Sequence, residues 1–173
     1  MTTDTRDRAA VEKELWRELE RVRCGMLGAG QFARGRFMPM AAFPEAESGK
    51  IWFYSHRGSD LAGIGEQGGP AVLIVMGKDQ ELQACIRGEL RTSFDTLHRD
   101  KFWGPAVSAW FPKGKGDPDL TLLCLACEDA DVWISDAGRV KFGWEIVKAN
   151  LTGSTPDLGG RVHVTFRTSA GRG

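Results

Sequence analysis

Residues Glu81–Arg91 read ELQACIRGELR, and no other stretch of the chain alternates so cleanly. Leu82, Ala84, Ile86 and Leu90 fall on one side; Gln83, Arg87, Glu89 and Arg91 fall on the other. That period of two is the mark of a half-buried strand. Gly88 interrupts the inner row, which predicts a bulge or a close backbone approach. Before it, Gly77-Lys78-Asp79 makes a turn, and Ala71–Met76 (AVLIVM) reads as a buried strand. Two strands joined by so short a turn pair antiparallel.

The same reading extends outward. Ser59–Glu66 forms a short helix closed by Gly68-Gly69-Pro70. Lys50–Ser55 is a strand with Ile51 and Phe53 opposing Trp52 and Tyr54, and the turn PEAESG precedes it. Arg34–Phe43 alternates, with Arg34, Arg36, Met38 and Met40 on one side and Phe37 and Ala41 on the other. Cys24–Gly30 is a short apolar strand. Thr5–Arg23 is helical: Val11, Leu15, Trp16, Leu19 and Val22 recur at three- and four-residue spacing. On the C-terminal side, Ser93 or Asp95 caps a helix to about Trp103. Leu120–Ala126 and Asp131–Ser135 read as a strand pair across a short connection. Val140–Leu151 reads as a helix and Arg161–Arg167 as a closing strand. Some seven short strands in meander succession, with peripheral helices, predict a mainly β (α+β) antiparallel barrel rather than a parallel sheet.

At 173 residues, without an internal repeat or dividing linker, the chain is expected to form one domain, 1–173, with its N-terminal helix at about 5–23. Its 23 basic and 23 acidic residues cancel, which argues against a nucleic-acid partner held by phosphate neutralisation. No apolar run approaches membrane-spanning length. The charged N-terminus does not read as a secretory signal, so a cytoplasmic protein is expected. Four cysteines stand at 24, 85, 124 and 127. Cys124 and Cys127 have the spacing of half a zinc site, without a second half. On a strand, residues three apart face opposite ways, so buried thiols are the better reading and no metal is expected.

Gly28-Ala-Gly-Gln-Phe-Ala33 matches a dinucleotide-binding GxGxxA pattern, but the next residues, RGRFMPMAAF, alternate like a strand instead of opening a helix. A glycine-rich hairpin turn is the better reading. His56, His98 and His163 lack metal-ligand spacing, and no serine lies in a GxSxG elbow. His98 and His163 read as solvated; His56 ends the strand IWFYSH among converging polar groups. Trp16, Trp133 and Trp144 read as internal packing. Trp103 and Trp110, in FWGPAVSAWFPKGKGDPDLTLL at 102–123, leave two readings open: an anchor in the core or at a dimer interface, or a surface on which a flat ligand stacks.

That last segment, with FMPMAAF at 37–43, KIWFYSHRGSD at 50–60, IRGEL at 86–90 and ANLTGSTPDLGGRVHVTF at 149–166, resembles the pyridoxamine 5′-phosphate oxidase-like flavin-binding split barrels. More narrowly, it is similar to their bacterial general-stress branch, the general stress protein 26-like proteins. The resemblance covers Val11 to Phe166. It implies a six-stranded split barrel that forms a homodimer, with FMN or FAD between subunits. Carried over by position, Met38, Pro39 and Met40 would meet the flavin from one strand, and Phe53, Tyr54, Ser55 and His56 from the next. Ser59 would sit near the phosphate, and the aromatic segment bearing Trp103 and Trp110 near the same cleft.

The chain departs from the family pattern in two places. The common Arg-Pro-Met is Met38-Pro39-Met40 here, and the common Ser-Arg-Lys is Ser59-Asp60-Leu61. Two cations that would grip a phosphate are therefore missing, and Arg36 or Arg57 is the candidate to replace them. The resemblance implies a flavin-dependent oxidoreductase acting on a small redox partner, with no catalytic acid or base nameable from sequence. Oxidation of pyridoxamine phosphate is not expected. The alternative is a non-enzymatic stress or sequestration protein.

Overall fold

The computed structural model describes residues 8–30, 37–135 and 160–166. Helix α1 (Arg8–Val22) leads into β1 (Cys24–Ala29), β2 (Phe37–Ala41), β3 (Phe43–Glu45) and β4 (Lys50–His56). Helix α2 (Asp60–Gln67) then precedes β5 (Gly69–Met76) and β6 (Leu82–Ser93). Short helices α3 (Thr96–Lys101) and α4 (Pro105–Ser108) lie before β7 (Leu120–Ile134) and β8 (Gly160–Thr165). Every strand pairing is antiparallel, and the fold is the expected mainly β split barrel with peripheral helices.

The strand path runs β2-β1-β5-β6-β7-β4-β3, with β8 beside β7. Its two ends, β2 and β3, are separated only by Ala42, whose amide donates to the Arg23 carbonyl at 3.0 Å. They are halves of one broken strand: the first half pairs β1, the second pairs β4. Taken so, the path closes into the expected six strands, and β8 is an addition. The broken strand also corrects the continuous run expected over 34–43.

The long strand β7 corrects another expectation. Leu120–Ala126 and Asp131–Ser135 are not a pair across a turn; Leu120–Ile134 is one continuous strand. Asp129 and Asp131 of CEDAD, a run that looks like a turn, lie on a strand face with partners. Arg87 reaches Asp129 at 2.6 Å and Asp131 at 2.9 Å, and Arg161 and His163 close on Asp131 at 2.9 and 3.1 Å. The first half of β7 pairs β4 and the second pairs β8, while β6 follows its other edge throughout. At the fork the register shifts opposite Arg87/Gly88. A β-carbon at Gly88 would stand 2.0 Å from the Ala126 carbonyl oxygen, so the glycine expected to mark a bulge or close approach marks both.

Ile51, Phe53, Leu73, Ile86, Leu90, Leu123, Leu125 and Val132 fill the barrel, and Val11, Leu15, Trp16 and Leu19 of α1 pack into the same core. Trp16 meets Phe166 at 5.4 Å. Trp133 departs from the expected internal packing. It is 42% exposed, with Arg161 against its ring at 5.6 Å. His98 departs the other way: it stacks on Trp52 at 4.2 Å and bonds Asp95 and Glu45. His163 is half-exposed as expected, but it is partnered by Asp131. The expected helix at 140–151, Trp144 and Arg36 lie outside the described residues.

Candidate functional site

β4 separates two environments. Ile51 and Phe53 point into the barrel and are fully buried. Trp52 and Tyr54 point outward, beneath α3 and α4, where Phe43, Trp103, Val107, Phe111 and Leu120 form a second, smaller apolar layer with Tyr54. This layer exists because Pro105 ends the run of α3 and starts α4 afresh, with Gly104 extended as its N-cap. The break turns Trp103 inward and leaves Trp110 71% exposed, so the two tryptophans do not share one helical face.

Along the edge of that layer lies a groove of ≈ 410 Å³. Met38, Pro39, Met40, Tyr54, Ser55, His56, Ser59 and Trp110, all expected at the site, line it together. Ala41, Phe43, Ala106, Val107 and Phe111 join them, and sequence reasoning misses these five. Phe111 carries a signal, since it flanks Trp110 in AWFPK; Phe43 and Val107 carry none beyond being apolar. Phe53 departs from expectation: strand alternation sends it into the core, away from the groove. Trp103 stands behind the lining, edge-on to Tyr54 at 6.0 Å and 6.4 Å from Phe111.

Few polar groups face the groove, and each is tied. The Ser55 and Ser59 hydroxyls are 2.8 Å apart, and Ser59 caps α2 by accepting from the Ala62 amide at 3.1 Å. The Tyr54 hydroxyl donates to the Arg99 carbonyl. Burial, then the nearby Asp100 carboxylate, pushes its pKa up to about 12, so Tyr54 is a neutral donor. His56 Nδ1 lies 2.6 Å from Asp119 Oδ2, and its ring is 4.9 Å from Phe111. A carboxylate at Nδ1 favours the tautomer that leaves Nε2 to accept a hydrogen bond. Asp119 cannot be paired with His56 from the sequence, because the partners are 63 residues apart.

No lysine or arginine lines this groove among the described residues. Its walls suit a flat, largely apolar ring held by a few hydrogen bonds. They offer a dianionic phosphate no cation. No cluster of three or more histidine, cysteine or carboxylate groups placed to hold a metal occurs among the described residues. Burial raises both the Cys124 thiol, to about 11, and the Cys127 thiol, so neither is an activated nucleophile. Cys24, by contrast, is exposed.

The family model described as pyridoxamine 5′-phosphate oxidase like matches residues 10–157. A candidate general stress protein 26 from Jannaschia sp. CCS1 superposes with a TM-score of 0.76 at 37% identity, covering 92% of this chain and 100% of that one. The general stress FMN/FAD binding protein from Xanthomonas citri gives 0.68 at 32% identity, covering 75% and 92%. A general stress family candidate from Xanthomonas campestris gives 0.69 at 31%, covering 77% and 92%. None of the curated proteins matches. With its matched span, its split-barrel topology and its apolar groove in agreement, the chain belongs to the pyridoxamine 5′-phosphate oxidase-like family.

Proposed function

We propose that this protein is a flavin-binding member of the general-stress type, with the ring of FMN or FAD seated in the groove between β2, the end of β4 and α4. The observation that carries this reading is the groove itself. It gathers Met38, Pro39, Met40, Tyr54, Ser55, His56, Ser59 and Trp110 from segments far apart in sequence, and leaves an apolar slot between aromatic walls. The flavin naming of the Xanthomonas citri protein supports the same ligand class. A bound flavin would supply two-electron exchange with a small molecule. The chain's own part is positional: Tyr54 and Phe111 wall the ring, Ser55 and Ser59 offer hydroxyls, and His56, fixed by Asp119, offers Nε2.

Two copies are proposed to meet as a homodimer that completes the cleft. Support comes from Met26, Ile74, Met76 and Trp133, which the sheet leaves exposed on its outer face. No helix among the described residues is long and apolar enough to cross a membrane, and the balanced charge supports a protein without a nucleic-acid partner; a cytoplasmic location is part of this proposal. The second reading is a sequestration protein whose cleft holds a ligand without catalysis. The absence of lysine and arginine from the described groove lining favours it. The test is to purify the protein, record its visible spectrum, and titrate riboflavin, FMN and FAD. A flavin band, or saturable binding below tens of micromolar (roughly 6 kcal/mol), supports flavin binding. Neither would leave the sequestration reading.

A further inference from the structure

A second groove, of ≈ 380 Å³, is lined by Arg57, whose chain neighbour His56 lines the ring groove. We propose that this second groove takes the adenosine diphosphate half of FAD, making the dinucleotide the preferred flavin; the proposal rests on flavin binding in the first groove. The first groove has no lysine or arginine among its described lining residues, whereas the second is bordered by Arg57, Arg99 and Lys115.

Arg57 is built for the task. Its amide donates to the Asp119 carbonyl at 2.7 Å and its Nε to the Pro118 carbonyl at 2.9 Å. These bonds fix the base of the guanidinium, while its terminal nitrogens meet no acceptor among the described residues. A planar fork held at Nε and open at its ends suits a phosphate diester. Lys115 is 3.5 Å from Asp100 and half-exposed, so it too can turn to an anion.

The carboxylates of the same groove are partly engaged. Asp95 caps α3 and bonds His98, and Asp117 accepts from the Asp119 amide at 3.0 Å; Glu66 remains as an acceptor for a base or ribose. Phe94 presents a ring that is 87% exposed, a platform on which a purine stacks. FMN, with one phosphate and no base, can use at most the cation nearest the ring groove. A ligand with a second phosphate, a ribose and a base offers each kind of group its match.

The test is calorimetric titration of the whole protein with riboflavin, FMN, FAD and ADP, in the wild type, Arg57→Ala and Arg57→Lys, with thermal melts to verify folding. FAD is expected to bind about tenfold or more tightly than FMN. Arg57→Ala should narrow that difference, costing FAD more than FMN and leaving riboflavin affinity unchanged, and Arg57→Lys should restore part of it. Equal affinity for FMN and FAD in the wild type overturns the proposal. So does an Arg57→Ala loss of the same size for riboflavin, or a loss for FMN as large as for FAD. If no flavin binds, ADP decides separately: Arg57-dependent binding keeps the groove as a nucleotide site while removing the flavin. No ADP binding then ends both readings.

Discussion

On the inner face of β4, Ile51 and Phe53 join a closed, aliphatic core; on the outer face, Trp52 and Tyr54 meet rings, an imidazole and a groove open to solvent. One strand thus serves two layers with different tolerances. The inner layer excludes water and carries stability, so its losses are large. The outer layer is thin, aromatic and hydrogen-bonded at its edge, and it shapes a site. The sharpest way to break this contrast is a pair of neighbouring substitutions. Phe53→Ala is expected to cost about 3–5 kcal/mol by cavity formation. Tyr54→Phe should cost only about 1 kcal/mol, the worth of its bond to the Arg99 carbonyl. Urea denaturation decides. Equal losses would show that the outer layer is as structural as the core.

Acid separates the layers in another way. Two carboxylates stitch outlying elements to the barrel, and each is held down to about 2. Burial opposes ionisation of Glu45, but hydrogen bonds from Lys101 and Ser48 and the attraction of His98 prevail. Burial likewise opposes ionisation of Asp131, and hydrogen bonds from Arg161, His163 and Arg87 outweigh it. Both folded values lie below the ordinary carboxylate value of roughly 4, so each contribution is fully present above about pH 4 and fades as pH falls toward 2. Hydrogen exchange in this window should show α3 and β8 losing protection before β5 and β6. Glu45→Gln should weaken the acid response of α3, leaving the part carried by its N-cap Asp95, and Asp131→Asn should weaken that of β8. Simultaneous opening of all four elements would refute the layered picture.

The parts of the fold legible in sequence obey the period-two pattern, because a strand's burial is written locally. ELQACIRGELR shows its inner and outer rows and even its irregular point at Gly88. The groove is legible only through family resemblance, which brings Met38, Pro39, Met40, Tyr54, Ser55, His56, Ser59 and Trp110 together. Alternation itself argues Phe53 out of the site: it shares a face with Ile51, not with Tyr54. The charges of CEDAD mislead for a related reason. A carboxylate run reads as a turn until its cross-strand partners are known, and Arg87 and Arg161 lie far from it in sequence. His98 reads as solvated because nothing local announces a stack on Trp52. Long-range polar pairs, His56 with Asp119 among them, have no period to betray them.

The smallest effect on folding belongs to the residue most open to solvent. Trp110 and Phe111 are adjacent, yet Phe111 is 3% exposed within the outer layer and Trp110 is 71% exposed at the groove mouth. A tryptophan that loses so little surface within its own chain contributes little to the monomer, so Trp110→Ala should shift stability by no more than about 0.5 kcal/mol. Its large apolar ring is nonetheless poorly placed in water, and the two open roles, stacking on a ligand and anchoring a second copy, cover it differently. Analytical ultracentrifugation and flavin titration of Trp110→Ala separate them. Weaker association at unchanged affinity in the remaining dimer assigns the ring to the partner copy, whereas weaker binding at unchanged association assigns it to the ligand. Loss of both ties the cleft to the dimer, because one side chain would then serve the ring slot and the subunit contact together.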